Sequence, residues 1–254
     1  MAKFKTSDEI VLLRESGKRL ARVLNAVAKE IKPGVTTKHL DEIAEKLIRA
    51  TGDTPPFLNY TPHGVKVPFP ASLCVSVNDE IVHGIPGERI IQNGDIVSID
   101  LGLTHNGMIT DSALTVAVGN VPDEVTELIT ETKRGLMEGI KAIRPGARIG
   151  DIGAAIERVA QSHGYGIVRE LGGHGVGHAV HEEPYVPNYG RKGTGPLLKP
   201  GMVIAIEPMF MLGRENIMLL PDAYTVVTED ASLSAHFEHS VVVTKTGVEI
   251  LTIE

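Results

Sequence analysis

Acidic residues stand beside apolar, strand-like segments of this 254-residue chain. Asp100 ends the run Ile96-Val-Ser-Ile-Asp, where a carboxylate is costly to bury without a partner. Asp111 follows the predicted hairpin at Thr104-His-Asn-Gly107, which would return it toward Asp100. Two carboxylates at one spot repel each other, so the pair predicts a multivalent cation. Taken alone, Asp100 could instead cap the turn at Gly102 or pair with an arginine.

A glycine-rich segment, Gly172-Gly-His-Gly-Val-Gly-His-Ala-Val-His181, carries three histidines. Its glycines argue against a helix, so the spacing of His174 and His178 does not indicate a helical zinc pair. We expect an extended or looped backbone that approaches another group closely. This makes His174 a candidate metal ligand, and a hydrogen-bonded structural histidine is the alternative.

Glu207 and Glu238 complete a set of four carboxylates and one imidazole. Each glutamate alone could be a surface or ion-paired residue. Together the five side chains suit divalent ions, and bridging carboxylates hold two metals about 3.5–4 Å apart that share an activated water. The set therefore predicts a hydrolytic metal site.

Four amphipathic helices are predicted around these residues. Apolar residues at helical spacing place them at Ile10–Ile31, from about Thr37 to a stop at Gly52, at Val125–Ile143 and at Asp151–His163. Thr6 and Glu9 form a candidate capping box before the first helix.

The chain repeats its pattern once. His83 and His181 each precede a proline by three residues, and the strands Gly94–Asp100 and Gly201–Glu207 each end in an acid. A further acid, Asp111 or Glu238, then precedes a β-branched strand. The order predicts two halves related by a pseudo-two-fold axis, with a central acidic site. Chance matching of short patterns is the alternative.

Composition excludes several classes of function. The net charge is −7 and no basic run could follow a phosphate backbone, so we expect no nucleic-acid substrate. The single Cys74 cannot form an internal disulfide, and the N-terminus lacks the apolar core of a signal peptide, which favours the cytoplasm. No apolar stretch approaches the roughly 20 residues of a membrane span. P-loop, dinucleotide and serine-nucleophile motifs are also missing.

The chain resembles one family closely, the type I methionine aminopeptidases of the bacterial form, in the pita-bread group of metallopeptidases. The resemblance runs through nearly the whole sequence and is most specific at 78–86 (NDEIVHGIP), 173–184 (GHGVGHAVHEEP), 206–209 (IEPM) and 232–239 (SLSAHFEH). It implies an internally duplicated α+β fold with an antiparallel sheet flanked by helix pairs. We expect one catalytic domain over residues 1–254, with halves of about 1–120 and 121–254.

The resemblance also implies a dinuclear metal site with five ligands: Asp100, Asp111, His174, Glu207 and Glu238. In the family pattern the Asp111 and Glu238 positions bridge both metals, the Asp100 position binds one and the His174 position the other. An oxygen-rich site of this kind accepts cobalt, manganese, iron or zinc.

Similarity to the family implies the reaction as well. A water activated between the two cations attacks the first peptide bond, and the N-terminal methionine leaves when the second residue is small. The His83 and His181 positions contact the amide nitrogen and the scissile carbonyl, and Glu207 is the candidate proton shuttle. The expected partners are nascent polypeptides that begin with methionine and the ribosome surface, with the enzyme a monomer.

The methionine pocket is assigned by resemblance to Tyr60, Phe69, Cys74 and Tyr224, whose apolar surfaces suit a flexible thioether. Ordinary core packing is the alternative for each. The segment from Tyr60 to Cys74 is longer than in the compact bacterial form, and Tyr224 stands where a larger aromatic is familiar. Two rival functions have the same fold: a proline-type aminopeptidase or dipeptidase, which normally carries an added N-terminal domain, and a non-enzymatic peptide-binding relative, which loses ligands.

Overall fold

Four helices form two consecutive pairs in the computed structural model, which describes residues 3–62 and 64–254. They are α1 (Ser7–Lys29), α2 (Thr37–Ala50), α3 (Asp123–Lys141) and α4 (Ile149–His163). All four predicted helices are confirmed. The capping box is present: the Thr6 hydroxyl accepts from the Glu9 amide, and the Glu9 carboxylate accepts from the Thr6 amide.

Fourteen strands accompany these helices in the described residues. In the first half they are β1 (Leu73–Val77), β2 (Glu80–Val82), β3 (Ile96–His105) and β4 (Met108–Ala117). In the second half they are β5 (Gly166–Ile167), β6 (Gly172–Gly175), β7 (Glu182–Pro187), β8 (Val203–Ile206), β9 (Met209–Met211), β10 (Ile217–Leu219), β11 (Val226–Thr228), β12 (Ser234–His236), β13 (Glu238–Val243) and β14 (Val248–Ile250).

One antiparallel sheet of eight strands runs through both halves. Its order is β1-β3-β4-β13-β8-β6-β7, and β14 pairs with β13. Residues of α1 and α2 pack on β1 and β3, whereas residues of α3 and α4 pack on β8 and β13. Each helix pair thus covers its own half of the sheet, and the predicted duplicated α+β fold is confirmed.

The two halves join where β4 meets β13, and few backbone bonds make that seam. Only Ala113 with Glu238 and Ser112 with His239 pair directly. Side-chain hydroxyls complete the joint: Ser112 Oγ donates to the Glu238 carbonyl (2.8 Å), and Ser240 Oγ donates to the Asp111 carbonyl (2.8 Å). Ser240 Oγ also accepts from the Asp111 amide (2.9 Å).

A second hydroxyl joint lies further along the seam. Thr115 Oγ1 donates to the His236 carbonyl (2.8 Å) and accepts from the His236 amide (2.9 Å). These bonds satisfy backbone groups that would otherwise be buried without partners.

The hairpin between β3 and β4 is confirmed and is longer than expected. Asn106 and Gly107 form its turn with φ values of 48° and 80°, the left-handed region that two-residue hairpins favour. Backbone pairing begins directly at His105 and Met108. Asp111 therefore lies inside β4 and Glu238 is the first residue of β13, whereas the sequence pattern placed each acid before its strand.

None of the helices in the described ranges has the length and hydropathy that crossing a membrane requires.

Asp53, just after α2, ties three elements together at one end of the molecule. Its buried carboxylate accepts from His105 Nδ1 (2.7 Å), the Thr51 hydroxyl (2.7 Å) and Arg19 Nη1 (3.2 Å). Burial alone would raise the pKa of Asp53, but these hydrogen bonds outweigh it and lower the pKa below its usual 3.8. The charged carboxylate thus stabilises the junction of α1, α2 and β3.

We expect Asp53→Asn to lower the free energy of unfolding by about 1.5–3 kcal/mol near neutral pH, the usual contribution of hydrogen bonds to a charged group. Because the folded-state pKa is lowered, this contribution is present above the unfolded pKa and is lost as the pH falls through the folded value. Urea titrations at about pH 7, 5 and 3.5 should show the difference between wild type and variant shrinking only at the lowest pH. An equal difference at all three would contradict the assignment.

Candidate metal centre

All eleven predicted site residues line one cavity of about 80 Å³. They are His83, Asp100, Asp111, His174, His181, Glu207, Glu238, Tyr60, Phe69, Cys74 and Tyr224. The cavity lies on the face of the sheet opposite the first helix pair, because Ile99 and Leu101 pack with α1 and α2 and the alternating Asp100 points the other way. Residues that are distant in sequence and belong to both halves are therefore brought to one place.

The register of three strands sets three of the carboxylates side by side. Ala113 on β4 is opposite Asp100 on β3 and opposite Glu238 on β13. Asp111 lies two residues before Ala113, hence on the same face of β4. The short Ala113 side chain between two acids leaves them space to converge.

Glu207 and His174 come from the next strands of the sheet. Glu207 directly follows β8, His174 lies on β6, and His174 Nε2 is 3.6 Å from Glu207 Oε1. Single ligand atoms of Asp111, His174 and Glu238 all lie within 4.8 Å of one another. The predicted extended backbone around His174 is confirmed, and a side chain at Gly173 would meet the Ala205 carbonyl of β8.

His174 is held as a neutral imidazole. Its Nδ1 is 2.9 Å from the Gly175 carbonyl, which can only accept, so Nδ1 carries the proton and Nε2 presents its lone pair. Burial and the nearby His181 lower the pKa of His174 to about 3. An imidazole held neutral by its surroundings suits a divalent cation.

The four carboxylates destabilise one another without a cation. Burial raises the pKa of Asp111 to about 7, and burial together with the charge of Asp111 raises the pKa of Glu207 to about 8. Burial and neighbouring carboxylates also hold the pKa values of Asp100 and Glu238 well above the usual range. Two or more positive charges among these oxygens would reverse this penalty.

Unpaired oxygen atoms identify the place for such charges. Oδ1 of Asp100, Oδ1 of Asp111 and Oε1 of Glu238 are buried and have no hydrogen-bond partner within the ranges 3–62 and 64–254. Asp100 thus neither caps the turn at Gly102 through this oxygen nor pairs it with an arginine. Buried carboxylate oxygens without protein partners and a neutral imidazole are the donor set that divalent metals take, so the residues fit a metal centre.

Two further histidines, His83 and His181, line the cavity but do not belong to the group of candidate metal ligands. His83 follows β2 in a left-handed backbone conformation (φ 59°), and burial with the nearby His181 lowers its pKa to about 4. His181 Nδ1 lies 2.7 Å from the Tyr60 hydroxyl. His178 is outside the cavity lining, and its Nε2 instead contacts Glu9 at 2.7 Å.

Sequence reasoning assigned no role to His236, although it lies within the quoted segment 232–239. His236 is buried, its Nε2 is 3.8 Å from Glu207 Oε2, and burial with His83 lowers its pKa to about 3. Its position two residues before Glu238 was the signal available in the sequence.

The apolar wall of the cavity contains the four predicted pocket residues and three that were missed, Phe57, Pro62 and Val180. Cys74 on β1 is opposite Asp100 in the sheet register. The rings of Phe69 and Tyr224 meet edge to face at 5.1 Å, and the Tyr224 hydroxyl donates to the Val67 carbonyl at 2.5 Å. Tyr224 thus joins the backbone at Tyr60 and Val67 to the apolar wall.

The fold and the site together define a metal-dependent hydrolase. Residues 11–245 match the model of metallopeptidase family M24. The chain belongs to metallopeptidase family M24.

Proteins named methionine aminopeptidase are similar over almost the full length. Methionine aminopeptidase 1 of Bacillus subtilis (strain 168) is 45% identical over 248 residues, which cover 98% of each chain. The methionine aminopeptidase of Aquifex aeolicus (strain VF5) is 46% identical over 249 residues, 96% of each. The crystal structure of methionine aminopeptidase from Rickettsia prowazekii superposes with a TM-score of 0.95 and 40% identity over all of both chains.

A prolidase from Pyrococcus furiosus has the same fold at greater distance. It superposes with a TM-score of 0.77 at 22% identity, and the match covers 99% of this chain and 65% of the prolidase. At this identity the likeness concerns the fold alone.

Beside the cavity, a buried ion pair fixes the segment that carries His181. Lys5 Nζ lies 2.6 Å from Glu182 Oε2, and both side chains are almost fully buried. Glu182 Oε1 accepts from the amides of His178 (2.6 Å) and Ala179 (3.0 Å). A side chain at Gly177 would meet the Lys5 stem, which explains the glycine there.

We expect Lys5→Met to lower the free energy of unfolding by about 3–5 kcal/mol, because it leaves Glu182 buried without its counter-ion. Adding Glu182→Gln should restore part of this loss, since no unpaired charge then remains. Arg14→Met is the matched control: it removes one partner of the exposed Arg14–Glu249 pair and should change stability by less than about 1 kcal/mol. Urea unfolding measures the stability of all three variants. Equal losses in Lys5→Met and Arg14→Met would contradict the role of burial.

Proposed function

We propose that this protein is a methionine aminopeptidase, which removes the N-terminal methionine from polypeptides whose second residue is small. The observation that carries the proposal is the meeting, in one cavity, of five candidate ligands with two unligated histidines and an apolar wall. The relatives that match almost the full chain bear the same name. A non-enzymatic relative is disfavoured because such proteins lose ligands, and this cavity has the complete set.

The proposed centre would hold two divalent cations. Five side chains would be their ligands: Asp100, Asp111, His174, Glu207 and Glu238. When bound, the cations would activate water and polarise the carbonyl, and cobalt, manganese, iron or zinc would serve. The unpaired oxygens of Asp100, Asp111 and Glu238 support this assignment.

The chain's own residues would orient the peptide and move protons. Glu207 lines the cavity with its Oε1 3.6 Å from His174 Nε2, where its carboxylate would be placed to accept and return a proton. His181, at the cavity mouth, would donate a hydrogen bond to the scissile carbonyl oxygen as negative charge develops there. His83 would contact the amide nitrogen of the same bond.

The apolar wall would receive the methionine side chain. Phe57, Phe69, Cys74 and Tyr224 present a narrow surface that packs well against an unbranched thioether. A β-branched first residue would clash there, and a charged one would be buried unpaired. The small cavity also favours a small second residue.

The setting of the enzyme is proposed on the same basis. Because the two halves share one sheet, we propose that residues 1–254 act as one catalytic domain. Its partners would be nascent chains that begin with methionine, which the enzyme would bind at the ribosome surface. The enzyme would act as a monomer. The single, buried Cys74 is compatible with a reducing cytoplasm.

Substitution of the candidate ligand Asp111 should abolish both the stabilisation by metal and the activity. For the wild type, a saturating divalent metal should raise the melting temperature by about 5–10 °C, as expected at 100-fold excess over Kd for a chain of this size. Asp111→Asn should lose this rise and all detectable turnover. The melting temperature is measured by differential scanning fluorimetry with each of the four metals.

Asp53→Asn is the control for that experiment. It also removes a buried carboxylate, but outside the cavity, so it should lower stability and keep the metal-dependent rise. Full wild-type activity after exhaustive chelation, with metal removal confirmed by elemental analysis, would overturn the metal centre.

Substrate choice separates the proposal from its rivals. Met-Ala-Ser should be cleaved faster than Leu-Ala-Ser, by a margin of about 1–3 kcal/mol in kcat/KM, because apolar pockets discriminate similar shapes weakly. Met-Leu-Ser and Met-Lys-Ser should be far slower than Met-Ala-Ser. Preferred cleavage of Ala-Pro would instead assign a proline-type enzyme, and faster release of alanine than methionine from matched peptides would refute the methionine assignment.

A further inference from the structure

Tyr60 makes a contact that a residue of the methionine pocket does not need. Its hydroxyl lies 2.7 Å from His181 Nδ1, and the two rings are 5.3 Å apart between centroids. The backbone fixes where this hydroxyl can reach: the Tyr60 amide donates to the Phe57 carbonyl (2.9 Å), and the Tyr60 carbonyl accepts from the Phe69 amide (2.8 Å). Tyr60 is therefore held at the base of its loop with its side chain directed at His181.

The donor in this contact follows from the chemistry of the two groups. A phenol is a good donor, and a neutral imidazole has one nitrogen that can only accept. Within the described residues the Tyr60 hydroxyl has no other hydrogen-bond partner. If Nδ1 of His181 carried the proton, the phenol hydrogen would lack a protein acceptor. The arrangement that uses both groups has the Tyr60 O–H donating to Nδ1, with the His181 proton on Nε2.

His181 needs such a restraint because of its location. It lies at the exposed mouth of the cavity, where its ring meets His174 edge to face at 4.4 Å between centroids. That contact is compatible with either neutral tautomer. The Tyr60 hydrogen bond is the interaction that distinguishes them.

The corresponding histidine of the first half is held differently. His83 is fixed through its left-handed backbone and has no ring hydrogen bond in the part of the chain that the structure describes. The two histidines thus occupy matching places but differ in restraint. This difference matches their different expected targets, an amide nitrogen for His83 and a carbonyl oxygen for His181.

We propose that Tyr60 is a positioning residue: its hydroxyl fixes His181 in the Nε2–H tautomer, so that Nε2–H is ready to donate to the scissile carbonyl oxygen. The proposal rests on the function proposed above for His181. It assigns Tyr60 a task in the reaction in addition to lining the pocket.

The tautomer is measured directly by NMR. Protein labelled with ¹⁵N-histidine and loaded with zinc, which is diamagnetic, gives two-bond ¹⁵N–¹H correlations that distinguish the neutral tautomers, and His181→Gln identifies the His181 signals. The wild type should show His181 with its proton on Nε2. Tyr60→Phe removes only the hydroxyl and should give a mixture of both tautomers.

Tyr224→Phe is the matched control for the spectra. It removes another phenol hydroxyl from the same cavity, but one that donates to backbone carbonyls of Val67 and Tyr60. Its His181 correlations should match those of the wild type.

A double-mutant cycle tests whether Tyr60 acts through His181. With Met-Ala-Ser, Tyr60→Phe should lower kcat about tenfold, within the usual effect of a partner that orients a functional histidine, and should leave KM within about twofold. His181→Ala should lower kcat about 10²-fold. Adding Tyr60→Phe to His181→Ala should have no further effect, because the residue it orients is gone.

Two outcomes would overturn the proposal: a wild-type His181 tautomer in Tyr60→Phe, or the same tenfold loss when His181 is already alanine. Failure of the proposed function looks different. In that case the wild type would not cleave Met-Ala-Ser with any metal, while the spectra would still report whether Tyr60 sets the tautomer.

Discussion

Repulsion among four carboxylates that line one cavity is the constraint on which the rest of this structure depends. Folding places Asp100, Asp111, Glu207 and Glu238 around one cavity. Burial raises the pKa values of all four, and neighbouring carboxylates raise those of Asp100, Glu207 and Glu238 further. An apolar side chain at any of these positions would make the folded protein more stable in the absence of cations. The arrangement is tolerable because the surrounding sheet is stabilised elsewhere, and it becomes favourable when cations occupy the oxygens.

Alternation along the strands reconciles that repulsive site with a stable core. In β3, Ile99 and Leu101 pack beneath the first helix pair, while Asp100 between them faces the cavity. Because side chains of a strand alternate between two faces, one strand contributes both to the apolar core and to the candidate metal centre. The reactive face is therefore as well fixed as the core behind it.

The parts of the structure that the sequence predicts are those with local patterns. Apolar periodicity and the Thr6 capping box locate the helices, and Asn106-Gly107 locates the hairpin that carries Asp111 back toward Asp100. The repeated order of motifs in the two halves predicts that their acids converge. The residues to which the resemblance assigns roles do share one cavity.

The parts that escape prediction depend on contacts between distant residues. Lys5 and Glu182 are separated by 177 positions, and neither lies in a local motif that predicts the ion pair. His236 has no distinctive neighbours apart from its spacing to Glu238, and the Tyr60 hydroxyl contacts His181, which lies 121 positions away in the sequence.

The seam between β4 and β13 likewise depends on contacts between distant residues. The hydroxyls of Ser112 and Ser240 bridge its two strands, and the Thr115 hydroxyl of β4 bonds to His236 in β12. The backbone positions of Asp111 and Glu238 thus depend on the hydroxyl groups of Ser112 and Ser240, which line no part of the cavity. A substitution of either serine would therefore act on the site through the geometry of the strand joint, without removing any group that lines the cavity.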